Sequence, residues 1–337
     1  MITLEQDQLV VAFPDVHPAA TIRIEFQRTL RIPDDQRTYP LPPGLGRFPL
    51  RHVDDHAQRL PIPWREHGGV FLPMYQAEAL WIYFDSDWDE QRQTAYPFAV
   101  KVATGKINAV TGEEWKTGLN QDPQDYLVAP VQPWLDGYCI GEGVIRQFVA
   151  MPLGEGYTAE EQLTGAAEHG GLQLVAYPMK GDAFERRFPK RRYRPSTSPA
   201  FERAACAAPM GLAPGGRMKQ EIYKDPYGLA DWDLRESSRC FVHIANSLTW
   251  QAITGENPPT RPWTAQEYTK AGLPWFDYYA ADQKALAGAT AFQGLKSVRE
   301  KGAEKGETPL PENTPVHPEK VIIIQGKPKG VVREGSF

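Results

Sequence analysis

Thr21-Ile22-Arg23-Ile24-Glu25-Phe26 decides the class of this fold. Apolar and polar residues alternate along it, and successive side chains of a strand point to opposite faces. Ile22, Ile24 and Phe26 therefore share one face, and the segment predicts a half-buried strand.

The same signal recurs on both sides. Gly69 to Leu72, Ala79 to Phe84 and Tyr96 to Ala103 read as strands, with Ile107 to Val110 pairing back across Thr104-Gly105-Lys106 as a hairpin. Further strands are expected in Asp125 to Val131, Val144 to Ala150, Leu172 to Tyr177 and Arg239 to Ile244. Both chain ends read the same way, at Met1 to Phe13 and at the uncharged run Val321-Ile322-Ile323-Ile324.

Helix signals are few. Thr158-Ala159-Glu160-Glu161 is a capping-box sequence and predicts a helix from about Ala159 to Ala167, closed by His169-Gly170-Gly171. A second box, Thr264 to Glu267, starts a helix that Gly272-Leu273-Pro274 stops, and Ser247 to Ile253 predicts a helical turn. Trp275 to Tyr279 is expected to continue as helix. A doubly wound parallel sheet needs regular alternation of strands with longer helices, so the class is α+β, β-rich and mainly antiparallel, with a few short helices and long Pro-rich loops.

Composition shifts suggest four parts. Residues 1–180 form a β-rich domain, 181–216 a basic and Pro/Ser-rich linker or arm, 217–306 an α+β region packing on the first, and 307–337 a Pro-rich leash with a terminal strand. Pro40, Pro42, Pro43 and Pro49 make Thr38 to Pro49 an extended surface or domain-wrapping loop.

At 337 residues and 41% hydrophobic, the chain is large enough for a substantial core. A net charge of −5 gives no strong field, so nucleic acid is not the expected partner. No apolar run approaches the ~18 residues of a membrane span. The first residues are acidic where a signal peptide is basic, and three cysteines at wide spacing match no disulfide framework, which together lead us to expect a cytoplasmic protein.

Candidate sites follow from residue chemistry. Cys139 lies in Asp136-Gly137-Tyr138-Cys139-Ile140-Gly141, a turn-like setting that suits an exposed nucleophile, and His169 is the base candidate. That pair defines one alternative, a thiol-dependent hydrolase or transferase. The basic run holding Arg186, Arg187, Arg191 and Arg192 suits acidic groups on a partner. Trp263 and Trp275, with Phe276, Tyr278 and Tyr279, define a second alternative, an aromatic-lined site for a sugar or small molecule.

Metal readings are weak. Cys240 and His243 fall on opposite faces of a strand; His52 and His56, four apart, read as one face of a solvated helix; the acidic loop from Asp85 to Glu90 lacks the glycine and glutamate of a calcium loop. No metal or cofactor is expected. The leading expectation is a non-enzymatic assembly or binding protein. Its leash would carry Val321, Ile322, Ile323 and Ile324 to a neighbour's sheet edge and build a homo-oligomer.

Overall fold

The computed structural model describes residues 1–190, 207–279, 283–308 and 310–325. In chain order the principal strands are β1 (Ile2–Glu5), β2 (Gln8–Ala12), β3 (Thr21–Thr29), β4 (Val70–Pro73), β5 (Ala79–Ser86), β6 (Phe98–Thr104) and β7 (Leu127–Ala129). They continue as β8 (Gly137–Gly141), β9 (Val144–Pro152), β10 (Leu172–Pro178), β11 (Ala207–Lys219), β12 (Ser238–Asn246), β13 (Trp275–Tyr279) and β14 (Val321–Gln325). The helices are short: α1 (Ile62–His67), α2 (Ala159–Thr164), α3 (Gly181–Arg187), α4 (Ser247–Thr254), α5 (Ala265–Lys270) and α6 (Val298–Glu304).

Pairing is mainly antiparallel, as the alternation predicts. One ladder runs from β1 to β2, β3, β5, β9 and β11. A second joins β7, β6 and β10. β12 ties the two together, because Ser238 to Val242 pair with β10 while Ile244 and Asn246 pair with β11. The parallel exceptions are β4 on β12 and β13 on β14, together with a short contact of Thr38 and Tyr39 with Arg217 and Met218.

Both ladders feed one apolar core. Leu9, Ile24 and Phe26 from the first share a cluster with Phe98, Val102 and Leu174 from the second. Phe13, just after β2, meets Phe98 with ring centroids 6.2 Å apart. Phe26 is fully buried, and truncating such a residue to alanine costs about 3–5 kcal/mol. β6 is buried on both faces, so its one charge must be paired: Lys101 meets Asp125 at 2.5 Å and donates to the carbonyls of Lys116 and Gly118.

Several expectations are corrected. α2 begins on the predicted capping box but stops at Thr164, where Gly165 takes a left-handed φ of 75° that an L side chain resists. Trp275 to Tyr279 is a strand, not a helix. Its aromatic and β-favouring residues find two neighbours, β14 on one side and Leu41 on the other, where Leu41 and Phe276 exchange backbone hydrogen bonds of 2.7 and 2.9 Å. Thr38 to Pro49 carries short strand pieces at Thr38–Tyr39 and Gly44–Arg47. Within the stretch expected to be a linker, Gly181–Arg187 is helical and Ala207–Lys219 is a strand in the first ladder. Its small residues allow that: a Cβ at Gly211 would come within 2.6 Å of Thr158.

The loop after α2 is held by Glu160, which is 3% exposed. One of its oxygens accepts from the amides of Glu168 (3.0 Å) and His169 (2.8 Å), the other from Gly170 (2.8 Å). Replacing Glu160 with Ala removes three hydrogen bonds, of which the one to Gly170 is buried, and is expected to lower unfolding free energy by roughly 2 kcal/mol in urea; a loss below about 0.5 kcal/mol would mean that the loop is held by something else.

Candidate functional site

The feature that needs explaining is a buried cation. β3 leaves the sheet through Leu30-Arg31-Ile32, and all three are buried. Leu30 and Ile32 enter a second apolar cluster with Met218 and Trp275. Arg31 lines a cleft of about 600 Å³, within the range of small-molecule sites. Its Nη2 donates to Asn313 Oδ1 at 3.0 Å, whereas Nε and Nη1 are buried with no hydrogen-bond partner among the described residues. Burial pushes the guanidinium below its ordinary pKa; Asp34 and Glu312 oppose that shift through space, but neither forms an ion pair with it among the described residues.

One wall is the Tyr75 to Glu78 connection between β4 and β5. Glu78 is fully buried: Oε1 accepts from Arg28 Nε at 2.6 Å, and Oε2 from the Tyr75 amide at 2.9 Å. Burial pushes this carboxyl up to about 7, against the pull of Arg28. The opposite wall is the segment from Arg261 to Thr264, which two tethers fix to the first: Arg28 Nη2 donates to the Thr260 carbonyl and the Tyr75 hydroxyl to that of Pro259, each at 2.7 Å. Arg261 pairs with Glu312 at 2.6 Å. Trp263 stays 52% exposed on the cleft and meets Tyr268 edge-on at 6.5 Å. Leu248 (79% exposed) and Leu310 (38% exposed) add apolar surface to the lining.

The residues singled out from sequence fare differently. Trp263 lies on the cleft. Trp275 does not: it is fully buried between Tyr39 and Tyr268, each 6.3 Å away, and its indole N–H reaches Thr269 at 3.2 Å. Cys139 is buried rather than displayed on a turn, its thiol reaches the Gly141 carbonyl at 4.0 Å, and burial pushes it up to about 12. An activated thiolate requires the opposite shift. His169 faces Glu168 at 3.8 Å and the His67 ring at 6.0 Å. Among the described residues it shares no hydrogen bond or ion pair with Cys139.

Arg186 and Arg187 are engaged within the chain. Both pair with Asp231, and Arg187 also donates to the Tyr227 carbonyl at 2.8 Å. Arg191 and Arg192 lie outside the described residues, as does Cys206. Val321, Ile322 and Ile323 are 41, 41 and 63% exposed on β14, and Ile324 pairs through its backbone with Tyr278. Among the described residues no group of three His, Cys, Asp or Glu is arranged to hold a metal, and no helix is long and apolar enough to cross a membrane.

Sequence reasoning passed over Arg31 and Glu78. The available signal was an arginine inside the apolar alternation Leu30-Arg31-Ile32 and a carboxylate directly before a strand, both ordinary until burial is known. Comparison with family models, with curated proteins and with solved structures returns no match.

A histidine cluster lies apart from the cleft. His243 is buried, stacks on Trp64 at 4.6 Å and sets Nε2 against the Gly68 carbonyl at 3.0 Å. Desolvation, with a smaller push from His67, lowers its pKa to about 4. The unfolded chain then takes up a proton before the folded one as pH falls, so this contribution is complete above about 6.5 and is lost toward 4. Between pH 7 and pH 4 the wild type should lose roughly 3 kcal/mol more stability than His243→Gln. Equal losses in urea titrations of the two proteins would refute that assignment.

Proposed function

We propose that this protein is a non-catalytic binding protein that holds a small anionic molecule in the cleft over Arg31. The observation that carries the reading is the buried guanidinium with two donors left unpartnered among the described residues. A buried charge without a counter-ion costs several kcal/mol, and replacing such a group by an apolar one of similar size is commonly stabilising. Retaining it fits a ligand that supplies the missing charge and acceptors. The walls suit that role, since Glu78 fixes Arg28 and Tyr75, and those two fix the segment bearing Trp263. Cys139 and Cys240, which form no disulfide among the described residues, fit a cytoplasmic setting.

Arg31→Met separates a ligand-binding from a structural guanidinium. The variant should fold, resist urea better than wild type by about 1–3 kcal/mol, and lose the rise in melting temperature that a bound anion gives the wild type. A strongly destabilised Arg31→Met protein would show instead that the guanidinium is part of the scaffold.

A second reading, homo-oligomer assembly, draws on β14. Its inner edge pairs with β13, its outer edge has no partner among the described residues, and its five residues carry no charge. Such an edge favours pairing with a second strand, and two copies related by a two-fold axis would present identical edges. Ile322→Lys places a charge on that edge. Light scattering should then give a dimeric wild type and a monomeric variant, and a monomeric wild type would remove this reading.

A further inference from the structure

We infer that the ligand of the cleft is a monocarboxylate attached to a flat apolar body; this rests on the binding function proposed above. The first argument is charge. Of the two guanidiniums that line the cleft, Arg261 is already paired with Glu312 at 2.6 Å, and the carboxylate of Glu78 is taken by Arg28 from behind the wall, also at 2.6 Å. Arg31 is left without an ion pair among the described residues, Asp34 and Glu312 acting on it only through space, so the site has room for one negative charge and no more. A dianion such as a phosphate monoester would bring its second charge up against Glu78 and Glu312, which line the same cleft.

The second argument concerns amines. An amino acid brings an ammonium that needs acceptors, but both oxygens of Glu78 are occupied, by Arg28 and by the Tyr75 amide, and Glu312 is engaged by Arg261. A zwitterion would set its ammonium against carboxylates already engaged by arginines and so gain less in this cleft than a simple acid. The third argument is shape. Away from Arg31 the cleft is lined by the half-exposed ring of Trp263, by Pro262 and by Leu248, Leu310 and Met210. An indole face with little packing over it offers a stacking surface for a planar ring. Carboxylate at Arg31 and ring on Trp263 thus follow from the polarity of the walls.

Isothermal titration calorimetry of the full-length protein at pH 7.5 tests this with four probes: acetate, phenylacetate, phenyl phosphate and L-phenylalanine. Phenylacetate should bind at least about tenfold more tightly than each of the others. Trp263→Ala should weaken phenylacetate about tenfold and leave acetate nearly unchanged, and Arg31→Met, checked for folding by circular dichroism, should abolish both. If phenyl phosphate or L-phenylalanine binds as tightly as phenylacetate, and does so only with Arg31 present, the ligand class is wrong and the anion cleft survives. If no probe shows Arg31-dependent binding, the cleft reading falls and this inference falls with it.

Discussion

The buried pair of Arg28 and Glu78 is the interaction around which the rest is arranged. It sits where β3 and β5 run side by side, with Arg28 paired to Leu80 in register and Glu78 one residue ahead of β5. Glu78 also accepts the Ala150 amide on its backbone carbonyl at 2.8 Å, which joins the entry of β5 to β9. From the same pair come the hydrogen bonds that hold Tyr75 and Thr260. The carboxylate thus links β3 to the entry of β5, holds the Tyr75 wall of the cleft and, through Arg28, the wall that carries Trp263. Loss of one partner leaves a bare buried charge, which in proteins costs about 3–5 kcal/mol.

Arg28 and Arg31 lie three residues apart and illustrate two uses of the same side chain. Arg28 is matched: a carboxylate faces it, a carbonyl accepts from it, and the Phe48 ring lies 5.9 Å from its guanidinium. Arg31 is equally buried and has a single amide partner. Burial that is tolerable for the first is costly for the second, and that difference is the basis of the anion site proposed for the cleft.

Much of the fold was legible in the sequence because its rules are local. Period-two alternation located β3, β5 and β6, and capping boxes at Thr158 and Thr264 located the starts of α2 and α5, since a hydroxyl and a glutamate three residues apart define a helix end without help from the rest of the chain. What escaped is non-local. The assignment of Trp275 to Tyr279 depended on partners at Leu41 and Val321 that no window around it contains. Cys139 looked like a turn residue, yet its segment pairs with β9 and Ala289 donates to its carbonyl at 2.9 Å, which together shut it in. Of the cleft, only Trp263 was singled out beforehand. Arg31 and Glu78 acquire meaning from burial, and burial is set by tertiary packing.

The central claim is that Arg31 is a buried cation awaiting an external anion, and anomalous scattering tests it most directly. In crystals grown with sodium bromide, a bromide peak is expected within about 3.5 Å of Nε or Nη1 of Arg31, lost in Arg31→Met crystals. A guanidinium found instead in contact with a carboxylate of its own chain, with no bromide beside it, would contradict the account.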